Sequence, residues 1–282
     1  MPLLSMTLLD EFDIPAQPEI LQKITATCLQ QTPDMAQLIH IITQDLYLSG
    51  MILQTINSPL YGLADKVDSI QQAVTLLGTK KILVLARAAA LRLKFKLPPQ
   101  FKAVLDDAHD IALVCSAIAH RLGCVEVDIA YSLGLFHMSG IPVLMQHFPD
   151  YAEFYQAARL QRRPLTYLEQ ERYEINYSKV SGAFCRKWLL SSSVIIAVEN
   201  HYRPFAELYA KFPYEQHKLS MIALLRMGIY INHVINKFYR QNDSIESEWQ
   251  ANQTAILAFL GLSELDYLTL VDFITAHSSD LQ

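Results

Sequence analysis

Apolar residues recur along this chain at helical spacing. Met35, Leu38, Ile39 and Ile42 fall at i, i+3, i+4 and i+7, and Val180, Phe184 and Trp188 follow at intervals of four. Either set lines one face of a helix with about 3.6 residues per turn. No segment alternates apolar and polar residues convincingly enough to predict a strand, so the pattern predicts an all-α fold.

Polar punctuation divides the pattern into elements. Asp45 stands ahead of Leu46, Met51, Ile52 and Ile56 as an N-cap, and Asn57-Ser58-Pro59 breaks that helix before Gly62 lets the chain reverse. Ser69-Ile70 opens a short helix through Ala73, Leu76 and Leu77 that ends at Gly78. A longer helix is expected over about 79–95, closed by Pro98-Pro99, and another over about 102–122, closed by Gly123. Tyr202-Arg203-Pro204 breaks the chain again. Beyond it the sequence predicts one long helix from Tyr214 to Tyr239, a polar break at 241–244 and two shorter helices. The Pro-Pro pair is the best internal boundary. It separates an N-terminal helical subbundle, 13–97, from a central one, 100–205, within a domain over 13–205, and residues 206–282 form an extension packed on the same domain.

Composition narrows the function classes. With 282 residues and 51% hydrophobic content the chain can bury a sizeable core. A net charge of −5 and a pI near 6.0 weigh against nucleic-acid binding through overall charge, and no recognition helix rich in Arg, Asn and Gln stands out. Cys28, Cys115, Cys124 and Cys185 show no CxxC spacing, which disfavours zinc fingers and disulfide scaffolds and fits a reducing cytoplasm. The apolar start of the chain lacks a basic segment and soon meets Asp10, Glu11 and Asp13, so no signal peptide is expected. No 18 consecutive residues are apolar, and no membrane insertion is expected.

Charge is uneven. Lys80, Lys81, Arg87, Arg92, Lys94, Lys96 and Lys102 follow one another with no acidic residue between them, whereas the chain beyond Arg240 is acidic. Lys80, Arg87 and Lys94 are seven apart and fall near one helix face. That face is expected to meet solvent or the acidic C-terminal helices, or to serve as a surface for a partner protein or an anion. Arg159, Arg162 and Arg163 form a second basic cluster in an expected loop.

The run 41–49, followed by Ile56-Asn57-Ser58-Pro59-Leu60-Tyr61-Gly62 and set in a series of small capped helices over about 17–78, resembles the HDOD family, regulatory relatives of the HD metal-dependent phosphohydrolases. The likeness extends over about residues 13–205 and implies a compact multi-helix bundle. Tyr61 is expected to be buried, with the turn holding the N-terminal helices in place.

The resemblance also implies where a catalytic centre would lie. Active HD enzymes hold a divalent ion with a His, an adjacent His-Asp pair and a later Asp, ligands that leave positions open for water and phosphate. The pair belongs in a Leu-His-Asp-Ile-Gly-Lys context, and here the matching stretch is Gly134-Leu135-Phe136-His137-Met138-Ser139-Gly140. The His is kept. Met138 replaces the Asp with a thioether that offers a hard ion neither charge nor oxygen, and Ile141 replaces the Lys. By the same likeness His109 falls at the first His, Tyr177 falls where a further His often stands, and His201 falls near the site. The helix over about 218–240, where the terminal Asp belongs, contains no acidic residue.

His109-Asp110 is a literal His-Asp pair, but no His lies between His40 and His109, and Ala112 and Leu113 stand where Gly and Lys would be expected. Asp110 reads more simply as a first-turn carboxylate favoured by the helix dipole. His137 reads either as a core histidine bonded to backbone or as a residual pocket group. His40, His120, His147, His217, His233 and His277 show no ligand spacing, and Met221 and Met227 read as core. No GxSxG, Walker-type or GxGxxG motif is present. The resemblance thus implies a non-catalytic bacterial signalling protein with no metal or other cofactor, acting on a protein partner or a small anionic ligand. Its rivals are a metal-dependent phosphohydrolase acting on a nucleotide or cyclic dinucleotide through His109 and His137, and a passive helical scaffold.

Overall fold

The computed structural model describes residues 9, 11–57, 66–94, 102–236 and 242–276, and helix is the regular secondary structure among them. The chain divides into two compact units, one over Ala16–Lys96 and one combining Leu97–Ala276 with the first fifteen residues.

In the smaller unit, α1 (Glu19–Cys28), α2 (Met35–Thr43) and α3 (Leu46–Ile56) lead into α4 (Ile70–Lys94). Asp34 and Asp45 cap α2 and α3, accepting from the Gln37 and Leu48 amides at 3.0 and 2.9 Å. Ile24, Leu38, Ile42 and Ile52 are fully buried and form the shared core. The expected break at Gly78 is present. Its φ of 74° leaves helical space, so α4 consists of two helices joined at a kink.

Asn57 shows how this unit closes its polar turn. Its amide nitrogen donates to the Leu53 and Val67 carbonyls at 2.8 and 2.7 Å, and its oxygen accepts from the Val67 amide at 2.7 Å. Both backbone groups of Val67 are therefore satisfied by one side chain. Asn57→Ala is expected to cost about 2 kcal/mol through these part-buried groups, read as a lower urea midpoint; an unchanged midpoint would assign their pairing to water. Tyr61 and the rest of the 58–62 turn lie outside the described residues.

The basic face of α4 is not the uniform stripe its spacing predicts. Lys80 is exposed, Arg87 is only 8% exposed, and the Lys94 side chain lies outside the described residues. Ile82 to Leu91 is nearly all buried, so α4 is a central helix here. Arg87 lies near enough to Cys28 of α1 for its charge to act on that thiol. A helix buried almost all round has no solvent face to reserve for charge.

The larger unit runs through α5 (Lys102–Leu122), α6 (Val127–Phe136), α7 (Gly140–His147), α8 (Tyr151–Arg159), α9 (Leu165–Tyr173), α10 (Tyr177–Lys187), α11 (Ser192–Asn200) and α12 (Phe205–Lys211), then α13 (Gln216–Asn236), α14 (Asp243–Leu260) and α15 (Glu264–Ala276). Helix α13 packs on α5, α6, α11 and α14, and Met221, Met227 and their apolar neighbours are fully buried. Phe136, Phe184 and Trp188 form an aromatic core with centroids 4.7–6.2 Å apart. The Trp188 indole donates to the Pro15 carbonyl at 2.9 Å, which ties the first segment to this unit rather than to the helices that follow it.

Asp110 is not a first-turn carboxylate. Helix α5 begins at Lys102, placing Asp110 in its interior, because the apolar stripe through Val104, Ala108, Ile111 and Ala112 continues the helix upstream. Among the described residues, two helical stretches, Val127–His147 and Gln216–Asn236, are by length and mean hydropathy able to cross a membrane, although neither is free of polar residues. Their most apolar windows are 72% and 67% buried inside the structure, so packing already accounts for that apolarity.

Candidate functional site

Two histidines anchor the site, and both occupy the same local position. His137 caps the C-terminus of α6 and His201 that of α11. His137 Nδ1 lies 2.6 Å from the Gly134 carbonyl, and His201 Nδ1 lies 2.8 Å from the Val198 carbonyl. A carbonyl cannot donate, so each Nδ1 carries the proton and each Nε2 presents a lone pair. The rings meet edge to face, with centroids 5.6 Å apart.

Both rings are held neutral. Burial pushes His137 down to about 4 and His201 to about 3, the latter helped by its neighbours His137 and Arg226. A helix C-terminus favours a cation by at most about 2 kcal/mol, whereas a shift of more than two pH units corresponds to about 3 kcal/mol or more, so desolvation prevails over the dipole.

The turn holding His137 and Met138 is clamped from α10. Ser181 Oγ donates to the His137 carbonyl and accepts from the Gly140 amide, both at 2.8 Å. This close approach needs glycine, since a β-carbon on residue 140 would fall against the Tyr177 carbonyl and within 2.7 Å of the Ser181 nitrogen. Tyr177 is thereby brought beside the histidines. Its hydroxyl lies 3.0 Å from His201 Nε2 and, given the His201 tautomer, donates to it. The Tyr177 amide donates at 2.8 Å to Glu169, whose other carboxyl oxygen accepts from the Tyr151 hydroxyl. Glu169 is fully buried, and desolvation lifts it to about 8 against the two hydrogen bonds it accepts, which favours its protonated form.

His137, Met138, Tyr177 and His201 line an open-mouthed cavity of about 100 Å³. Arg226 of α13 projects into the same wall while only 8% exposed. It donates through Nε to the His201 carbonyl and through Nη2 to the Arg203 carbonyl, leaving Nη1 with no hydrogen-bond partner. Burial lowers it to about 10, so it remains a cation at neutral pH. Glu248 of α14 lies within its electrostatic reach and accepts from Ser244 Oγ at 3.2 Å, and burial lifts it to about 7.

These residues do not fit a catalytic divalent ion. The lone pair of His201 is engaged by Tyr177, Met138 supplies a thioether, and a buried guanidinium contributes positive charge where a cation would sit. Among the described residues no group of three or more His, Cys, Asp and Glu side chains is gathered for a metal.

The structure brings His137, Met138, Tyr177 and His201 together and places His109 elsewhere. His109 Nδ1 is 3.1 Å from the Tyr131 hydroxyl, and His109 is not among the residues lining the cavity. Sequence reasoning missed Arg226, Glu248 and His233, all of which line it. Arg226 carried a legible signal, as the one Lys, Arg, Asp or Glu among residues 219–236 in an otherwise apolar helix. Arg159, expected in a loop with Arg162 and Arg163, is the last residue of α8 and lines the cavity. Arg163 instead pairs with Glu171 at 2.5 Å on the surface.

Comparison with known proteins agrees with this architecture. The HDOD domain model matches residues 14–204. Among solved structures, an HDOD domain protein of unknown function from Geobacter sulfurreducens superposes with a TM-score of 0.73 at 18% identity, covering 99% of this chain and 94% of its own. A presumed phosphohydrolase from Shewanella amazonensis gives 0.71 at 18% identity, covering 98% and 95%. A presumed signal transduction protein from Marinobacter aquaeolei gives 0.67 at 20% identity, covering 97% of this chain and 59% of that one. A curated protein of Treponema pallidum, described as uncharacterized, is 21% identical over 266 residues, which are 86% of this chain and 51% of that protein. The chain thus spans about half the length of that relative.

Proposed function

This chain belongs to the HDOD domain family, and from that premise we propose that it is a non-catalytic regulatory module of bacterial signalling that holds a small anionic ligand in the cavity beside His137 and His201. One observation carries the reading: a buried arginine, Arg226, stands on the helix that would have to supply a metal-binding carboxylate, with one nitrogen unpartnered. A hydrolytic centre needs anionic ligands around its ion. This cavity supplies the guanidiniums of Arg226 and Arg159, the neutral imidazoles of His137 and His201, and the Glu248 carboxyl raised toward neutrality. Four cysteines without disulfides support a cytoplasmic setting.

Incubation with a chromogenic phosphodiester in the presence of Mn²⁺ or Fe²⁺ tests this reading. No turnover above buffer is expected, and dialysed protein is expected to retain less than a tenth of an equivalent of transition metal. Turnover that vanishes in His137→Ala would overturn the non-catalytic reading.

A further inference from the structure

The cavity has a more specific chemistry than a general affinity for anions. Arg226 and Arg159 both line it. Besides the Arg226 Nη1, the Arg159 Nε is buried without a hydrogen-bond partner, and the Arg159 guanidinium lies 5.6 Å over the Tyr155 ring. The remaining wall is largely apolar and aromatic. Ile111, Ile141, Leu165 and Ile229 line it together with Tyr155 and with Tyr230, which stacks on Trp249 at 5.0 Å and 12°. A free inorganic anion would leave that wall wetted, whereas an apolar body would displace its water.

We propose that the cavity takes a small organic anion, a carboxylate or phosphate head on an apolar ring, with the head against the Arg226 Nη1 and the ring among Tyr155, Tyr230 and Ile229. This rests on the ligand-binding reading above and specifies the ligand class. Glu248 is the competing counter-ion. No ion pair within 4 Å joins it to Arg226, and its carboxyl titrates near neutrality, facing Ser244 on its own helix, Arg226 on α13, Glu169 on α9 and Tyr177 on α10. Arg159, His233 and Asp107 line the same space. An anion bound at Arg226 therefore competes with ionised Glu248.

Calorimetry on the full chain with phenyl phosphate, benzoate, inorganic phosphate and phenethylamine tests the proposal. One of the two aromatic anions is expected to bind at one per chain, at least tenfold tighter than inorganic phosphate, with no binding of the aromatic cation. Which of the two binds identifies the head group. Binding should fall at least tenfold in Arg226→Gln. Should that variant fail to fold, Ile229→Trp, which fills the cavity and leaves the Arg226 hydrogen bonds in place, should abolish binding. Benzoate stays ionised from pH 6 to 8, so any benzoate affinity should drop several-fold over that range, and Glu248→Gln should remove the drop. Equal affinity for inorganic phosphate, binding of phenethylamine, or no binding by either aromatic anion would overturn the proposal. Release of phosphate from phenyl phosphate would instead overturn the non-catalytic reading while leaving the anion pocket intact.

Discussion

Stability against urea is expected to form a plateau between about pH 4.5 and 6.5 and to fall on both sides. The acid limb comes from His137 and His201, whose folded values of about 4 and 3 lie below the ordinary 6.5. Their neutral forms contribute stability that is present above 6.5 and lost as pH falls through the folded values. The alkaline limb comes from Glu169 and Glu248, raised from 4.5 to about 8 and about 7. Their protonated forms contribute stability that is full below 4.5 and is lost as pH rises toward 8. Between 4.5 and 6.5 two groups act in each direction, and the slopes cancel. Glu169→Gln keeps an acceptor for the Tyr177 amide and removes the ionisation. Relative to the unmodified chain, this variant should gain on the order of 4 kcal/mol between pH 5 and 8.5. Urea midpoints that run parallel for the two proteins over that range would show that Glu169 is not held as a neutral acid.

Gly134→Ala should be strongly damaging to the larger unit, costing about 3 kcal/mol. A β-carbon there would lie within 2.6 Å of the Ala112 nitrogen and 2.8 Å of the Ile111 carbonyl carbon. These are backbone atoms that cannot rotate away, so α5 and α6 would have to separate. Gly134 also accepts the His137 proton, and the displacement would reach the cavity. Gly123→Ala is the internal control. That residue has a φ of 64° and open space around it, so only local strain of about 1 kcal/mol is expected. Thermal denaturation of both variants decides the matter, and a loss at Gly134 no greater than at Gly123 would mean that the helices yield freely.

Gly140→Ala presses the same logic on the site itself. The added carbon would push α10 away from the His137 turn, so ligand affinity should fall along with stability.

Much of the fold was legible in the sequence because its signals are local. The Asp45 cap, the break at Gly78 and the left-handed Gly123 that closes α5 each depend on residues within a turn or two, as does the apolar period that predicts helices throughout. The absence of any Asp or Glu over 218–240 was equally readable, since it is a statement about residue identity. Packing decided the rest. Periodicity says which face of α13 is apolar, but not that its single arginine meets the carbonyl of His201, twenty-five residues earlier on another helix. Nor does a seven-residue spacing reveal that Arg87 lies on a buried helix, or that Arg159 lines a cavity while Arg163 pairs on the surface. A charged residue takes its role from the dielectric and the partners around it, and those are supplied by elements distant in the chain.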